Sequence, residues 1–414
     1  MERSRARTGG PQPHNPAAIG IHRTGAAQAS APSRSRLGSR GLDARRWQNL
    51  GLAGLAWFLL IAFALTAWFV VVVPLRADVL DNDLTLVYIG ARIGVEHGWS
   101  HIYSLALQHQ LFAQLRPHAT FNDGERFVSP PPFAWLVLPL ASLGPAVATY
   151  AWLVISAAAL AVAWWVAAPG GGPTRALWLL AAAAWYPVLY GFSLAQPDLV
   201  LLMLVAVAWR LAEGKRDYAA GALLGLTVIK PQLVMLLPLV LVIAGRWRIV
   251  AAWAGVAAAL AAVSLLVVGG QGLNDYLALL GEAQHVANNR YFTLAWLVGP
   301  GPIGYVAQGL IVALAVVGAH RNRDGGDARM FALGIVATAL GATYWHLQDF
   351  TVLVLAAWLC WRDGLSTPMR MLLLLIAVAG EFAWPLTPLP ILLGTAIWLA
   401  ALITRRQLPA TAAA

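Results

Sequence analysis

From Pro145 to Ile403 the chain is a succession of apolar runs separated by short polar turns, and this pattern constrains the fold more than any other feature. A helix needs about 20 apolar residues to cross a hydrocarbon core of roughly 30 Å. Because lipid offers no hydrogen-bond partner to exposed backbone groups, spanning helices must satisfy their own backbone. The sequence therefore predicts an all-α, polytopic integral membrane protein.

Composition and charge exclude two other classes of protein. Only 11% of the residues are charged and 59% are apolar, whereas soluble domains carry about 25% charged residues. The net charge of +10 does not indicate a nucleic-acid partner, because nine of the 28 basic residues precede Trp47 and most others follow at span ends and in short loops. The single cysteine, Cys360, offers neither a disulfide framework nor a metal cluster. We expect a lipid bilayer as partner and no cofactor; the residues mark no metal site, and they leave a requirement for a divalent metal open.

Three regions follow from the distribution of polar residues. Residues 1–46 are rich in Arg, Ser, Gly and Pro and are expected to form a disordered cytoplasmic tail. Residues 47–405 form the transmembrane domain, which opens with an uncleaved anchor over 48–74. Residues 406–414 are expected to be a short cytoplasmic tail.

About twelve spans are predicted, alternating between the two membrane faces. They cover residues 48–74, 145–167, 175–193, 197–212, 218–230, 231–244, 248–268, 294–318, 329–345, 348–362, 370–384 and 388–403. With the Arg-rich tail in the cytoplasm, only Lys230 and Arg290 among the basic residues after Pro145 fall on the outer face, as the positive-inside rule favours. Both termini are then cytoplasmic, and the membrane is a bacterial plasma membrane.

Two longer segments lie outside by this count, a large first loop over 75–144 and a second over 269–293. The pair 218–230 and 231–244 is too short for two full spans, and Lys230-Pro231 marks a break where a broken helix is expected.

Asp83, shortly after the first span, is the first candidate for chemistry. A carboxylate at the water–membrane boundary can act as a general base when partial burial raises its pKa. Asp81 is an alternative, and an ordinary loop acid is the simpler interpretation.

Lys230 lies in an apolar run, where an unpaired charge costs several kcal/mol, so it is a functional candidate that could bind a phosphate. A lysine that extends to the membrane surface is the alternative. His346 and Asp349 are three residues apart and share one face if their turn is helical. A satisfied interfacial histidine would explain them equally well.

Two further interruptions carry polar side chains suited to a ligand with many hydroxyls. Gln196-Pro197-Asp198 separates two spans, although Asp198 could simply cap a helix. Arg290 belongs to the polar second outer segment, which could also be an ordinary solvated loop.

Several of these segments resemble those of glycosyltransferase family 87, polyprenyl-phosphate-dependent mannosyltransferases of the GT-C superfamily. The similar segments are Asp83–Ala91, Phe127–Phe133, Gly221–Gln232 (GALLGLTVIKPQ, the most specific) and Thr343–Phe350. The chain departs from the family pattern at Ala195-Gln196-Pro197-Asp198 and by the Leu347-Gln348 insertion between His346 and Asp349.

The resemblance implies a GT-C-like catalytic domain that moves a hexose, mannose above all, from a polyprenyl-phosphate donor to a lipid or glycan acceptor with inversion. By this resemblance, Asp83 takes the position of the catalytic base. The residues expected to bind the donor phosphate are Lys230, Arg290 and His346. Orientation of the substrates falls to five other residues, namely Tyr88, Gln196, Asp198, Gln232 and Asp349. A secondary transporter and a non-catalytic scaffold for envelope assembly remain alternatives. A scaffold would not need Asp83, Lys230 and His346 to converge.

Overall fold

The fold is described from a computed structural model over residues 35–121, 126–299 and 301–404, with the side chains of 35–48, 284 and 285 left aside. The described residues are helical and contain no strand, which confirms the all-α prediction. The predicted tails over 1–34 and 406–414 lie outside them. A long helix begins at Ser35, inside the segment predicted as a disordered tail. The chain divides into a short unit that ends at Gly51 and a large one from Leu52 that holds all the candidate site residues.

The first part of the chain forms the opening anchor and a set of short helices. They are α1 Ser35–Ala67, a π-helical stretch Trp68–Val72, α2 Val73–Ala77, α3 Asp83–Glu96, a 3₁₀ turn Trp99–His101, α4 Leu105–Leu115 and α5 Pro131–Ala141. The segment predicted as a large loop is therefore largely helical. A polar contact network ties it together: the Gln108 amide oxygen accepts from the Phe127 backbone N–H at 2.9 Å, and Tyr103 donates to the Ser129 carbonyl at 2.9 Å.

The rest of the chain follows the apolar runs. Its α-helices are α6 Pro145–Ala167, α7 Gly172–Ala184, α8 Tyr186–Ser193, α9 Asp198–Glu213, α10 Asp217–Gly225, α11 Leu237–Ile243, α12 Trp247–His285, α13 Leu294–Val298, α14 Pro302–Arg321, α15 Asp327–Gly341, α16 Leu353–Arg362, α17 Thr367–Phe382 and α18 Leu389–Ile403. Four 3₁₀ segments join them, over Leu226–Ile229, Pro231–Leu233, Ala287–Arg290 and Leu347–Val352.

Four helical stretches in the described residues are long and apolar enough to cross a membrane by themselves. They are Asn49–Ala77, Pro145–Ala167, Trp247–Ala283 and Pro302–Arg321. The pair α7 and α8, bent by 59°, makes a fifth. The other predicted spans correspond to shorter or interrupted helices, such as the 16 residues of α9 and the 15 of α15. The chain is a polytopic membrane protein, and the dozen full spans remain a prediction.

The second outer segment differs from its prediction. Residues 269–285 continue α12 beyond a kink at Gly269, whose φ of 63° lies in the left-handed region that glycine adopts at little cost. The extension packs against the first outer segment, because Arg126 pairs with Glu282 and the rings of Tyr103 and Tyr276 lie 4.7 Å apart. A helical arm therefore replaces the expected open loop.

The break at Lys230 is confirmed. The backbone leaves α10 through the 3₁₀ turn Leu226–Ile229, is extended at Lys230 (φ −150°, ψ 73°), and resumes with Pro231–Leu233 before α11. Proline explains the interruption, because its ring disfavours helical backbone in the residue before it and removes a donor. The break leaves the Lys230 side chain pointing into the bundle, where the residue is only 8% exposed.

Candidate active site

Asp83 is the first residue of α3, and two backbone contacts fix its position. The Asn82 side chain accepts a hydrogen bond from the Thr85 N–H at 3.2 Å and so caps the helix. The Asp83 N–H donates to the Leu194 carbonyl at 3.0 Å. The start of α3 is thereby attached to the turn that follows α8.

That turn carries the predicted Gln196-Pro197-Asp198 interruption. Ala195 has a positive φ of 50°, and the Gln196 N–H closes the turn on the Gly191 carbonyl at 3.0 Å. The Gln196 side-chain amide then donates to Asp83 Oδ2. The turn therefore presents an amide to the Asp83 carboxylate instead of serving only as a connection.

Lys230 holds the other end of the same amide. Its Nζ lies 3.0 Å from Gln196 Oε1 and 2.7 Å from Asp198 Oδ1, both as hydrogen bonds. The Asp349 Oδ1 atom forms an ion pair with Nζ at 2.6 Å. Asp198 and Asp349 are 1% and 0% exposed, so the Lys230 ammonium stabilises two buried carboxylates.

Asp349 links this group to His346. Its Oδ2 accepts from the His346 backbone N–H at 2.8 Å, so the side chain also caps the 3₁₀ helix Leu347–Val352. The His346 ring places Nε2 3.1 Å from Asn289 Oδ1, and the Tyr344 ring packs edge-on at 4.7 Å. His346 lies in the loop between α15 and the 3₁₀ helix, where burial lowers its pKa below the ordinary value.

Six of the predicted residues thus form one connected group, which we call the Lys230 cluster. Its members are Asp83, Gln196, Asp198, Lys230, His346 and Asp349. The members differ in accessibility: Asp198, Lys230 and Asp349 are buried, while Asp83, Gln196 and His346 are half-buried. The cluster therefore has a buried charged part, formed by Asp198, Lys230 and Asp349, and a more accessible edge, formed by the other three residues.

Three predicted residues lie outside the cluster. The Tyr88 hydroxyl donates to the Ala141 carbonyl at 3.2 Å and so joins α3 to the end of α5. The side chains of Gln232 and Arg290 are half-buried and make no hydrogen bond or ion pair to the cluster among the described residues. Arg290 is nevertheless next to Asn289, which contacts His346.

Sequence reasoning missed two contributors. Asn289 contacts His346 through its side chain and accepts the Trp345 N–H through its carbonyl at 3.2 Å. Gly191 lets α8 approach the cluster, because a Cβ there would lie 3.0 Å from Gln348 Cβ and 3.4 Å from Asp198 Oδ2. The polar run around Arg290 hinted at Asn289, whereas nothing in the sequence marked Gly191.

The described residues contain no group of three or more His, Cys, Asp or Glu side chains placed to hold a metal ion. The family model of glycosyltransferase family 87 matches residues 127–344, just over half of the chain. The chain belongs to glycosyltransferase family 87. Searches of curated proteins and of solved structures gave no match.

This family 87 protein is accordingly a membrane glycosyltransferase that acts on a sugar donor and an acceptor. The matched region includes Gln196, Asp198 and Lys230, but it begins after Asp83 and ends before His346 and Asp349. For Asp83, His346 and Asp349, the argument for a role in the site therefore rests on the geometry of the Lys230 cluster.

Proposed function

We propose that this enzyme transfers mannose from a polyprenyl-phosphate donor to an extracytoplasmic lipid or glycan acceptor in a bacterial inner membrane, with inversion and with Asp83 as the base. Both termini then lie in the cytoplasm, and the Lys230 cluster faces the exterior. The observation that carries the proposal is the contact of the half-buried Asp83 carboxylate with the Gln196 amide. A base held in one orientation at a half-buried position meets the geometric requirement for proton abstraction.

The surroundings favour Asp83 over the other nearby carboxylates. Asp198 and Asp349 are buried against Lys230 and cannot meet an acceptor without rearrangement. Asp81 is exposed but forms an ion pair with Arg116 at 2.9 Å, and Arg116 also holds Asp78 at 2.7 Å. The ion pair turns the Asp81 carboxylate towards Arg116 and away from the Lys230 cluster contacts that hold Asp83.

The contacts of Lys230 favour a positioning role over the predicted phosphate contact. Three oxygens already lie within 3.0 Å of Nζ, and two of them belong to carboxylates. A donor phosphate would meet an ammonium whose charge is already compensated, beside two negative groups that repel it. We assign Lys230 to holding Gln196, and we leave the phosphate to Arg290, because the His346 ring already meets Asn289 Oδ1 through Nε2.

A lipid-linked donor is supported by a cavity of about 620 Å³ beside the outer end of the first span. It is lined by Val72, Leu75 and Tyr150 together with Arg76 and Asp78. Arg76 supplies a cation at the edge of the apolar wall, where it also lies over the Trp68 ring at 5.3 Å. An apolar groove with a cation at its rim suits an isoprenoid chain that ends in phosphate.

The contact of the cluster residues with one another also favours a transferase over a secondary transporter or a non-catalytic scaffold. A scaffold protein has no need to place Asp83, Lys230 and His346 in one network. A transporter would place its site near the middle of the membrane between repeats, whereas these residues lie at the ends of α3, α9 and the 3₁₀ helix Leu347–Val352.

The test is the Asp83→Asn variant, purified in lipid and supplied with a panel of polyprenyl-phosphate sugars. Loss of a general base is expected to lower kcat by about 10²–10⁴-fold. Asp81→Asn is the matched control and should change kcat only a few-fold. Near-normal transfer by Asp83→Asn would show that another group is the base, and transfer from another sugar alone would correct the donor.

A further inference from the structure

A second charged site lies at the far end of the same helices that build the Lys230 cluster. Helix α9 begins with Asp198 in the cluster and ends at Glu213, close before Lys215. Helix α15 begins at Asp327 and leads to the loop that carries His346. At about 1.5 Å per residue, the 16 residues of α9 separate the two sites by roughly 24 Å. The second site therefore belongs to the opposite membrane face.

This site is a cavity of about 200 Å³ formed by turns between helices. Its charged lining consists of Lys215, Asp217, Arg246, Arg248 and Asp327, and Gly245 and Trp247 complete it. The α9–α10 turn, the α11–α12 turn and the start of α15 all contribute, so the cavity is built from parts of the chain that are distant in sequence. We call it the basic cavity.

The charges of the basic cavity do not cancel. Asp327 is buried and pairs with Arg246 Nε at 2.6 Å, which uses one cation to compensate one acid. Lys215 Nζ is 4.0 Å from the same acid, and its side chain is 82% exposed. Arg248 is exposed and lies over the Trp247 ring at 5.5 Å. Three cations and two acids thus leave a net positive cavity with two accessible basic side chains.

Aromatic side chains flank the basic cavity at the level where a membrane surface is expected. Trp247 is 57% exposed and Tyr218, one residue after Asp217, is 60% exposed. Exposed Trp and Tyr at helix ends mark the headgroup region of a bilayer. A cation in that region attracts anionic lipid by about 1 kcal/mol, or about fivefold in affinity.

We infer that the basic cavity binds the phosphate headgroup of an anionic phospholipid from the leaflet opposite the Lys230 cluster. Lys215 and Arg248 contact the phosphate, and Arg246 remains paired with Asp327. The headgroup then joins the turns at the ends of α9, α11 and α15; α9 carries Asp198 of the Lys230 cluster, and α15 packs against both other helices.

The experiment uses the double variant Lys215→Ala/Arg248→Ala of the full chain. The matched control is Arg321→Ala/Arg323→Ala, which removes two exposed arginines at the end of α14 and just after it and changes the net charge equally. Each protein is equilibrated with vesicles of equal phosphatidylglycerol and phosphatidylcholine, extracted, and weighed with its retained lipid by native mass spectrometry. A second arm measures the thermal shift with inorganic phosphate alone.

We expect the wild type and the control to retain phosphatidylglycerol selectively and the double variant, which lacks two cations worth about fivefold each, to retain about 25-fold less. Retention by the double variant equal to that of the control would overturn the site. A thermal shift with inorganic phosphate in the wild type, without selective retention of phosphatidylglycerol, would overturn the lipid as ligand. The single variant Arg248→Glu, exposed and remote from the packed core, gives the same comparison if the double variant is poorly folded.

Discussion

Replacement of Lys230 by methionine tests the electrostatics on which the candidate site depends. Methionine has a similar length and fits an apolar run, but it removes the ammonium that lies 2.7 Å from Asp198 and 2.6 Å from Asp349. The two carboxylates, both essentially without exposure, would then face each other with no cation between them. The change is therefore a test of charge and hardly one of shape.

The size of the effect follows from the burial of the partners. Removal of one partner from a buried ion pair costs about 3–5 kcal/mol, because a charge is left buried and uncompensated. That is a large part of a typical stability of about 5–15 kcal/mol. Replacing Asp198 and Asp349 by neutral residues should restore most of the lost free energy of unfolding, since neutral groups of similar shape often replace a buried ion pair at little cost.

We therefore expect a graded series. Lys230→Met should be the least stable, Lys230→Met/Asp198→Asn intermediate, and Lys230→Met/Asp198→Asn/Asp349→Asn close to wild type. Tryptophan fluorescence during heating in one detergent at pH 7 measures the order, and the 19 tryptophans give ample signal. The other lysine, Lys215, is 82% exposed, so Lys215→Met should change stability by less than about 0.5 kcal/mol.

Two results would refute the reasoning. An unfolding temperature of Lys230→Met equal to that of the wild type would show that the ammonium does not compensate the two buried acids. Alternatively, the triple variant could be less stable than Lys230→Met, which would mean that polar contacts of the carboxylates matter more than their charge. The triple variant should still lack transfer activity, because Gln196 has lost the ammonium that holds its oxygen.

Three further predictions concern the edge of the cluster. Gln196→Leu removes the amide that donates to Asp83, so it should lower kcat by about 10–100-fold with little change in KM. Steady-state kinetics that show only a change in KM would contradict this. Gly191→Ala should lower transfer severalfold, because its Cβ would lie 3.0 Å from Gln348 Cβ, whereas Gly255→Ala, with open space around it, should not. Burial lowers the pKa of His346, so the folded state binds this proton less readily than the unfolded state. The free energy of unfolding should therefore fall as the pH drops from about 6.5 towards the lower pKa of the folded state. His346→Gln should flatten that part of a profile of unfolding temperature against pH.

Local chemistry made much of this fold predictable. The run Pro145–Ala167 was predicted as a span with these bounds, because proline starts the helix and a continuous apolar stretch follows. The break at Lys230 was predictable from Lys-Pro alone. The helical arm after Gly269 was not, since its polar side chains suggested a solvated loop and its contacts with Tyr103 and Arg126 join residues far apart in sequence.

The candidate site shows the same division between local and distant information. Gln196, Lys230 and Asp349 each stood out as a polar residue beside apolar runs, and Asp83 stood out as an acid just after the first span; both properties are local. The pairing of Lys230 with Asp198 and Asp349 depends on how α9, the Lys230 break and the 3₁₀ helix Leu347–Val352 pack, and no spacing rule gives it. The phosphate role predicted for Lys230 came from treating its charge as unpaired.

The paired lysine changes how catalysis should depend on the buried acids. Asp198 and Asp349 hold the Lys230 ammonium, the ammonium holds the Gln196 oxygen, and the Gln196 amide reaches Asp83. An acid that touches no substrate can therefore alter the rate through this chain of contacts. If Asp83 is the base as proposed, Asp198→Asn should lower kcat and leave KM nearly unchanged, because the half-buried edge of the cluster keeps its shape. A rise in KM alone would show that Asp198 contacts the substrate directly.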